Sequence, residues 1–286
     1  MPPIKVYKYH TPLVIDHNTI ERCNIEIHLH DGYEIFQALS PNIRYFVEGN
    51  AYDMGIGDIM ITNTKEIHRP ITIDDGTYSR RFIHFNPEII QLFKDIPYNP
   101  LSFFEKRKPG VGNYIALDDA SLGPINLLFE AIEAAIKEST PRSLYLSRLS
   151  LLELLEQLEH HHQSKVSEAY NQPLIDPRIR EVRSYLDEHF THKFDLEAIS
   201  RHHHIDKYYL SHLFKSSTGF STLEYVQSKR IQMAKSLMAK DLRISEISRL
   251  CGFDDYTNFY KTFKKLVQQS PKYYRDHKAT LTNTYG

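Results

Sequence analysis

The sequence predicts an α+β chain in three parts: a β-barrel or sandwich, two amphipathic helices, and an all-helical C-terminal domain. Three observations carry this. A length of 286 residues suits about two domains. Up to about residue 86, short alternating segments are separated by Gly, Pro, Asn and Asp, the signature of many short strands. Near the C-terminus one helix-turn-helix pattern occurs twice, 48 residues apart.

The strands come first. Asn24 to His30 alternates strictly, with Ile25, Ile27 and Leu29 on one face. Asp31-Gly32 is a turn. Further strands are expected at Glu34 to Leu39, Arg44 to Val47, Ala51 to Met54, Ile59 to Thr62 and Arg80 to Phe85. Ser40-Pro41-Asn42, Glu48-Gly49-Asn50, Gly55 to Asp58 and Asp74-Asp75-Gly76 punctuate them. A short helix is expected from Pro87 to Lys94. A barrel of this size encloses one small ligand.

Ile125 to Lys137 and Ser143 to His161 read as amphipathic helices. In the second, Leu144, Leu151, Leu154, Leu155 and Leu158 form a stripe. The stripe can cover the barrel or pair with its twin in a second copy. Residues 164–177 lack apolar periodicity, carry Pro173 and Pro177, and read as a linker. His160-His161-His162 and His202-His203-His204 do not read as metal sites. Consecutive helical residues point about 100° apart, and solvated turns explain them better.

In the C-terminal part, Ile244, Ile247 and Leu250 share a helix face, and Gly252 supplies a left-handed turn. Asp254 or Asp255 caps a second helix, which Phe259 and Phe263 pin to the first. Tyr256, Thr257, Tyr260, Lys261 and Lys264 are left facing outward. The earlier copy repeats the scheme: Ile199-Ser200-Arg201 echoes Ile247-Ser248-Arg249, Ile205-Asp206 echoes Phe253-Asp254, and Phe214-Lys215 echoes Phe263-Lys264. There Lys207, Tyr208, Ser211, His212 and Lys215 are expected outward, with Tyr209, Leu210, Leu213 and Phe214 inward. A linking helix joins the copies, opened by a Ser221/Glu224 capping box, with Leu223, Val226, Ile231, Ala234, Leu237 and Met238 as its apolar stripe. Its length approaches one turn of B-DNA, so the two outward helices can reach successive major grooves.

Charge divides along the chain. From Asp176 on there are 19 Lys and Arg against 13 Asp and Glu, a net of +6, while residues 1–175 carry −7. A basic end beside an acidic one suits nucleic acid at one end only. Cys23 and Cys251 are too few for a disulfide framework and suggest a reducing compartment. No apolar run approaches 18 residues and the polar N-terminus is no signal peptide, so a soluble, cytoplasmic protein without a membrane partner is expected.

The repeat, with Leu213-Phe214-Lys215, Thr218-Gly219, Glu224-Tyr225, Lys229-Arg230-Ile231, Gly252-Phe253, Phe263-Lys264-Lys265, Pro271 and Tyr274-Arg275, resembles the DNA-binding domain of AraC/XylS transcription regulators. Four positions depart from that pattern. Ser200 and Ser248 stand for a small Ala, Gln268 for a Gly, and His204 where the second copy has Gly252. His28-Leu29-His30 with Glu34, then Gly57 followed eleven positions later by His68, resembles the motifs of the cupin-type ligand domain that often precedes it. In metal-binding cupins such positions supply three His and a carboxylate. Their N and O donors would suit Fe, Mn, Ni or Zn.

The resemblance implies a cupin-like effector-binding barrel (1–115), a helical dimerisation or transmission region (116–163), the linker (164–177) and a double helix-turn-helix domain (178–286). It implies a homodimer that binds double-stranded promoter DNA and a small-molecule effector, with RNA polymerase as a further partner. Sugars are common effectors in the family. His28, His30, Glu34 and His68 are then pocket residues, with no metal, no cofactor and no catalytic role expected. The rival reading is a metal-dependent cupin enzyme fused to a DNA-binding domain. A purely architectural DNA binder would leave the barrel without a task.

Overall fold

The computed structural model describes residues 13–21, 25, 27–30, 32–87, 89, 96–164, 175–267 and 269–276. It divides into two compact units, one with the strands and the first helices, the other built from Ile175 onward and including Ile27–Leu29.

The first unit holds two antiparallel sheets. One runs in the order β1 (Leu13–Ile20), β7 (Tyr78–Phe85), β2 (Tyr33–Ala38), β5 (Ile59–Thr62), β8 (Tyr114–Ile115). The other runs β4 (Asn50–Met54), β3 (Ile43–Val47), β6 (His68–Thr72). Alternation along β2 sends Phe36 and Ala38 into one apolar cluster, with Tyr45, Tyr52, Met60 and Tyr78. Tyr33 and Ile35 go to the other. That second face is covered by α1 (Ser102–Glu105), α2 (Asp119–Glu138) and α3 (Pro141–Ser164).

The five expected strands in 34–85 are present. β1, β6, β8 and α1 were not anticipated. Among the described residues, 24–30 is not a strand: His28 makes a single bridge, while Ile27 and Leu29 are buried and His28 and His30 half-buried. The alternation reported that Ile27 and Leu29 are covered, but among the described residues the pairing does not extend beyond that bridge. Most of the helix expected at 87–94, most of the linker, Cys23, Asp31 and Gln268 lie outside the described residues. Helix α2 starts six residues before the expected Ile125. Asp118 accepts from Ser121 N at 3.0 Å, a cap that starts the helix ahead of Gly123 and Pro124, both poor interior helix residues.

Four leucines of the stripe take the first of its two alternatives. Leu151, Leu154, Leu155 and Leu158 are fully buried against Phe129, Ile132, Ile35 and their neighbours in the same chain. They are core, not a dimer contact. Leu144, expected in the same stripe, is exposed instead, as are Leu127, Tyr145, Leu146 and Leu149 on this unit's helices.

The second unit contains α4 (Pro177–His189), α5 (Leu196–His202), α6 (Lys207–Thr218), α7 (Thr222–Leu237), α8 (Ile244–Leu250) and α9 (Tyr256–Val267). These are the two helix-turn-helix units, α5–α6 and α8–α9, joined by α7, with α4 ahead of them. The Ser221/Glu224 capping box is formed.

Candidate functional site

Each helix-turn-helix is set by local chemistry. Asp206 caps α6, accepting from Tyr208 N and Tyr209 N at 3.0 Å each, worth about 1 kcal/mol. Asp255 caps α9 through Asn258 N at 2.7 Å. The turns before them need a left-handed residue, supplied by His204 (φ 53°) and Gly252 (φ 83°). Leu210 and Phe214 in α6, and Phe259 and Phe263 in α9, are fully buried.

With those anchors fixed, the opposite faces are presented. On α6, Tyr208 is 76% exposed, His212 and Lys215 are exposed, and Ser211 is half-buried. On α9, Tyr256, Thr257, Tyr260, Lys261 and Lys264 are all exposed. Lys207 is tied to Glu197 at 2.8 Å in a solvent-exposed surface pair, a weak link in water. Tyr209 contradicts the expected inward face. It is 48% exposed, with the Arg178 guanidinium 5.3 Å from its ring and donating to its hydroxyl at 3.1 Å. Leu250 is also exposed, because α8 is short and only Ile247 and Ser248 are buried in it.

A second candidate site is centred on Glu34 of β2. Cross-strand register places Glu34 opposite His84, Phe36 opposite Phe82, and Ala38 opposite Arg80. Tyr45 donates to Glu34 Oε1 at 2.7 Å, and His84 Nε2 meets Oε2. His30 lies 3.3 Å and His68 3.8 Å from the same carboxylate. Burial opposes ionisation of Glu34, yet His84, His30 and His68 hold its carboxyl well below the usual carboxylate range. Burial pushes His68 and His84 down, with Glu34 opposing. Glu34 and the two buried imidazoles are thus coupled, each opposing what burial does to the other.

Ligand atoms of His28, His30, Glu34 and His68 lie within 4.8 Å of one another, so the four expected pocket residues come together. As donors they fit a transition metal. Both oxygens of Glu34 are nevertheless engaged by Tyr45 and His84. His84 and Tyr45 were missed by the sequence reading. The period-2 alternation of Arg80, Phe82 and His84 was visible, but not its register against Glu34.

Two family models match the chain. The first, described as an AraC-like ligand binding domain, covers residues 19–164, just over half of the chain. The chain belongs to the AraC family. The second model, a helix-turn-helix domain, covers 199–277, which includes most of α5 and all of α6 to α9. Among curated relatives, the arabinose operon regulatory protein of Escherichia coli K12 is 34% identical over 131 residues, 45% of this chain and 44% of that protein. An uncharacterized HTH-type transcriptional regulator of Staphylococcus aureus is 26% identical over 256 residues, 88% of this chain and 32% of that protein. The matched stretches thus span less than half of these relatives. Among solved structures, the C-terminal domain of AraT, a response regulator from Geobacillus stearothermophilus, is 30% identical, covering 36% of this chain and 87% of that one, with a TM-score of 0.35.

Proposed function

We propose that the chain is a transcription regulator that reads promoter DNA with α6 and α9 and answers to a small molecule held by the N-terminal unit. One observation carries the reading: two helix-turn-helix units each expose a polar, basic helix face over buried aromatic anchors, within a segment of net charge +6. Lys207, Lys215, Lys261 and Lys264 meet phosphates, while Ser211, His212, Thr257 and the tyrosines Tyr208, Tyr256 and Tyr260 approach base edges.

The test is binding to duplexes selected from a random pool. Affinity is expected to fall steeply with salt, since phosphate contacts release counterions. His212→Ala is expected to change the selected sequence at one position, a loss of about 1–3 kcal/mol, whereas Lys264→Ala weakens all sequences alike. Salt-independent affinity would count against the whole reading, and an unchanged selected site against His212 as a base reader.

The Glu34 cluster supports a polar effector, and a sugar is the first class to try, given the name of the arabinose operon relative. His28, His30, Glu34 and His68 line that pocket without a resident metal or catalytic turnover. Metal analysis of the purified chain is expected to return less than one tightly held ion per chain. Stoichiometric iron, lost on His68→Ala, would favour the enzyme reading instead. Dimerisation through the exposed Leu127, Tyr145, Leu146 and Leu149 would bring two DNA-binding units together and add avidity on paired sites. RNA polymerase is a further partner of a regulator acting at promoters, which sets the protein in the cytoplasm. No described helix is long and apolar enough to cross a membrane.

A further inference from the structure

Outside both candidate sites, one buried cation joins three parts of the second unit. Arg230, on α7, is 6% exposed. Its Nε donates to the carbonyl of Phe190 at 2.6 Å and its Nη2 to the carbonyl of His192 at 2.7 Å. Phe190 is the C-cap of α4. Carbonyls at a helix C-terminus lack intrahelical partners and attract a cation. The same guanidinium lies 5.4 Å from the ring of Phe253, the buried residue in the turn between α8 and α9. Next to Phe253, Gly252 packs so closely on the α4 end that a Cβ there would lie 2.2 Å from Thr191 O. Helix α4 in turn packs on α6. The end of the helix that supports the first reading helix is thus fixed directly to the turn that aims the second.

We infer that Arg230 is a positioning residue for DNA reading: it locks the two helix-turn-helix units to each other and so sets the half-site spacing the chain accepts. This rests on the reading that α6 and α9 both contact DNA. Its physical basis is geometric. One inserted base pair moves a half-site by about 3.4 Å and rotates it by roughly 35° about the duplex. A rigid pair of helices cannot follow that rotation without losing base contacts, whereas a hinged pair can. A planar fork suits this task, because it holds two carbonyls in fixed directions while its face rests on an aromatic ring.

The experiment uses the full chain, the duplex that wild type selects from a random pool, and the same duplex with one or two base pairs inserted between its halves. Wild type is expected to lose about thirtyfold or more in affinity on a single insertion, the scale of one or two lost base contacts. Arg230→Met removes both donors and the charge. Its penalty for the same insertion is expected to fall to about threefold, even where its affinity for the parent duplex drops, since a hinge tolerates spacing. Arg230→Lys keeps the cation but not the fork, and an intermediate penalty is expected. It also serves should the Met variant fail to fold. A folded Met or Lys variant with the full wild-type penalty overturns the inference while leaving the two-helix reading standing. A wild-type chain that binds every spacing equally overturns both.

Discussion

Leu151→Glu combined with Leu155→Glu is expected to unfold the N-terminal unit rather than merely to separate subunits. Both leucines are fully buried, in a cluster with Phe129, Ile132 and the outer face of the five-stranded sheet. Truncating one such leucine to alanine already costs about 2–5 kcal/mol through lost transfer energy and the cavity left behind. A glutamate adds the cost of an unpaired buried carboxylate, several kcal/mol even when the group takes up a proton. Two such changes exceed the whole stability of a typical domain, about 5–15 kcal/mol. The cooperative thermal transition of this unit is therefore expected to vanish, with near-ultraviolet dichroism of its aromatic core lost at room temperature. The contrasting pair is Leu146→Glu with Leu149→Glu on the exposed face of α3. It is expected to leave the melting temperature within a few degrees, because exposed substitutions fall within about 0.5 kcal/mol each. If the proposed dimer uses that face, light scattering returns a monomer. A well-folded Leu151/Leu155 double variant would mean that α3 does not pack as described.

These two pairs show where sequence reasoning stops. Amphipathic spacing marks Leu151, Leu154, Leu155 and Leu158 as covered, but an apolar stripe does not say what covers it. The helix-turn-helix units were legible because every determinant is local: the caps Asp206 and Asp255, the left-handed positions His204 and Gly252, and the aromatic pair Phe259 and Phe263. Tyr209 escaped because it sits at the edge of the α6 face. There an arginine 31 residues away decides its surroundings. In the barrel, His28, His30, Glu34 and His68 were found from motif spacing, and the strands that carry Glu34 and His68 bring them together. His84 was not found, since it reaches Glu34 across 50 residues through the β2–β7 register. Period-2 alternation assigns faces within a strand and leaves the neighbour unspecified.

Gly252→Ala is expected to be the most damaging single methyl group in the second unit, and His204→Gly, at the same place in the earlier repeat, to be harmless. Both residues are left-handed, at φ 83° and 53°. An L-residue in that conformation costs roughly 1–2 kcal/mol, which His204 already bears and glycine would relieve. Glycine's extra freedom in the unfolded chain offsets part of the gain, so His204→Gly is expected to change stability by less than about 1 kcal/mol, in the stabilising direction. At Gly252 the conformational cost is the smaller part. The added Cβ would lie 2.2 Å from Thr191 O, 2.7 Å from its carbonyl carbon and 2.8 Å from its Cα. These are backbone atoms just beyond the α4 C-cap, and they cannot rotate aside as a side chain can. Either the α8–α9 turn or the end of α4 must shift, which also pulls Phe253 from beneath Arg230. A loss of roughly 4 kcal/mol follows, the range reserved for strain at a special backbone position. For a unit of this size it lowers the melting temperature by about 15 °C or more. DNA affinity is expected to fall with it, on every sequence and at every spacing. Urea unfolding of the two variants beside wild type decides the matter. A Gly252→Ala chain as stable as wild type would show that the α8–α9 turn does not pack on the end of α4 at Thr191.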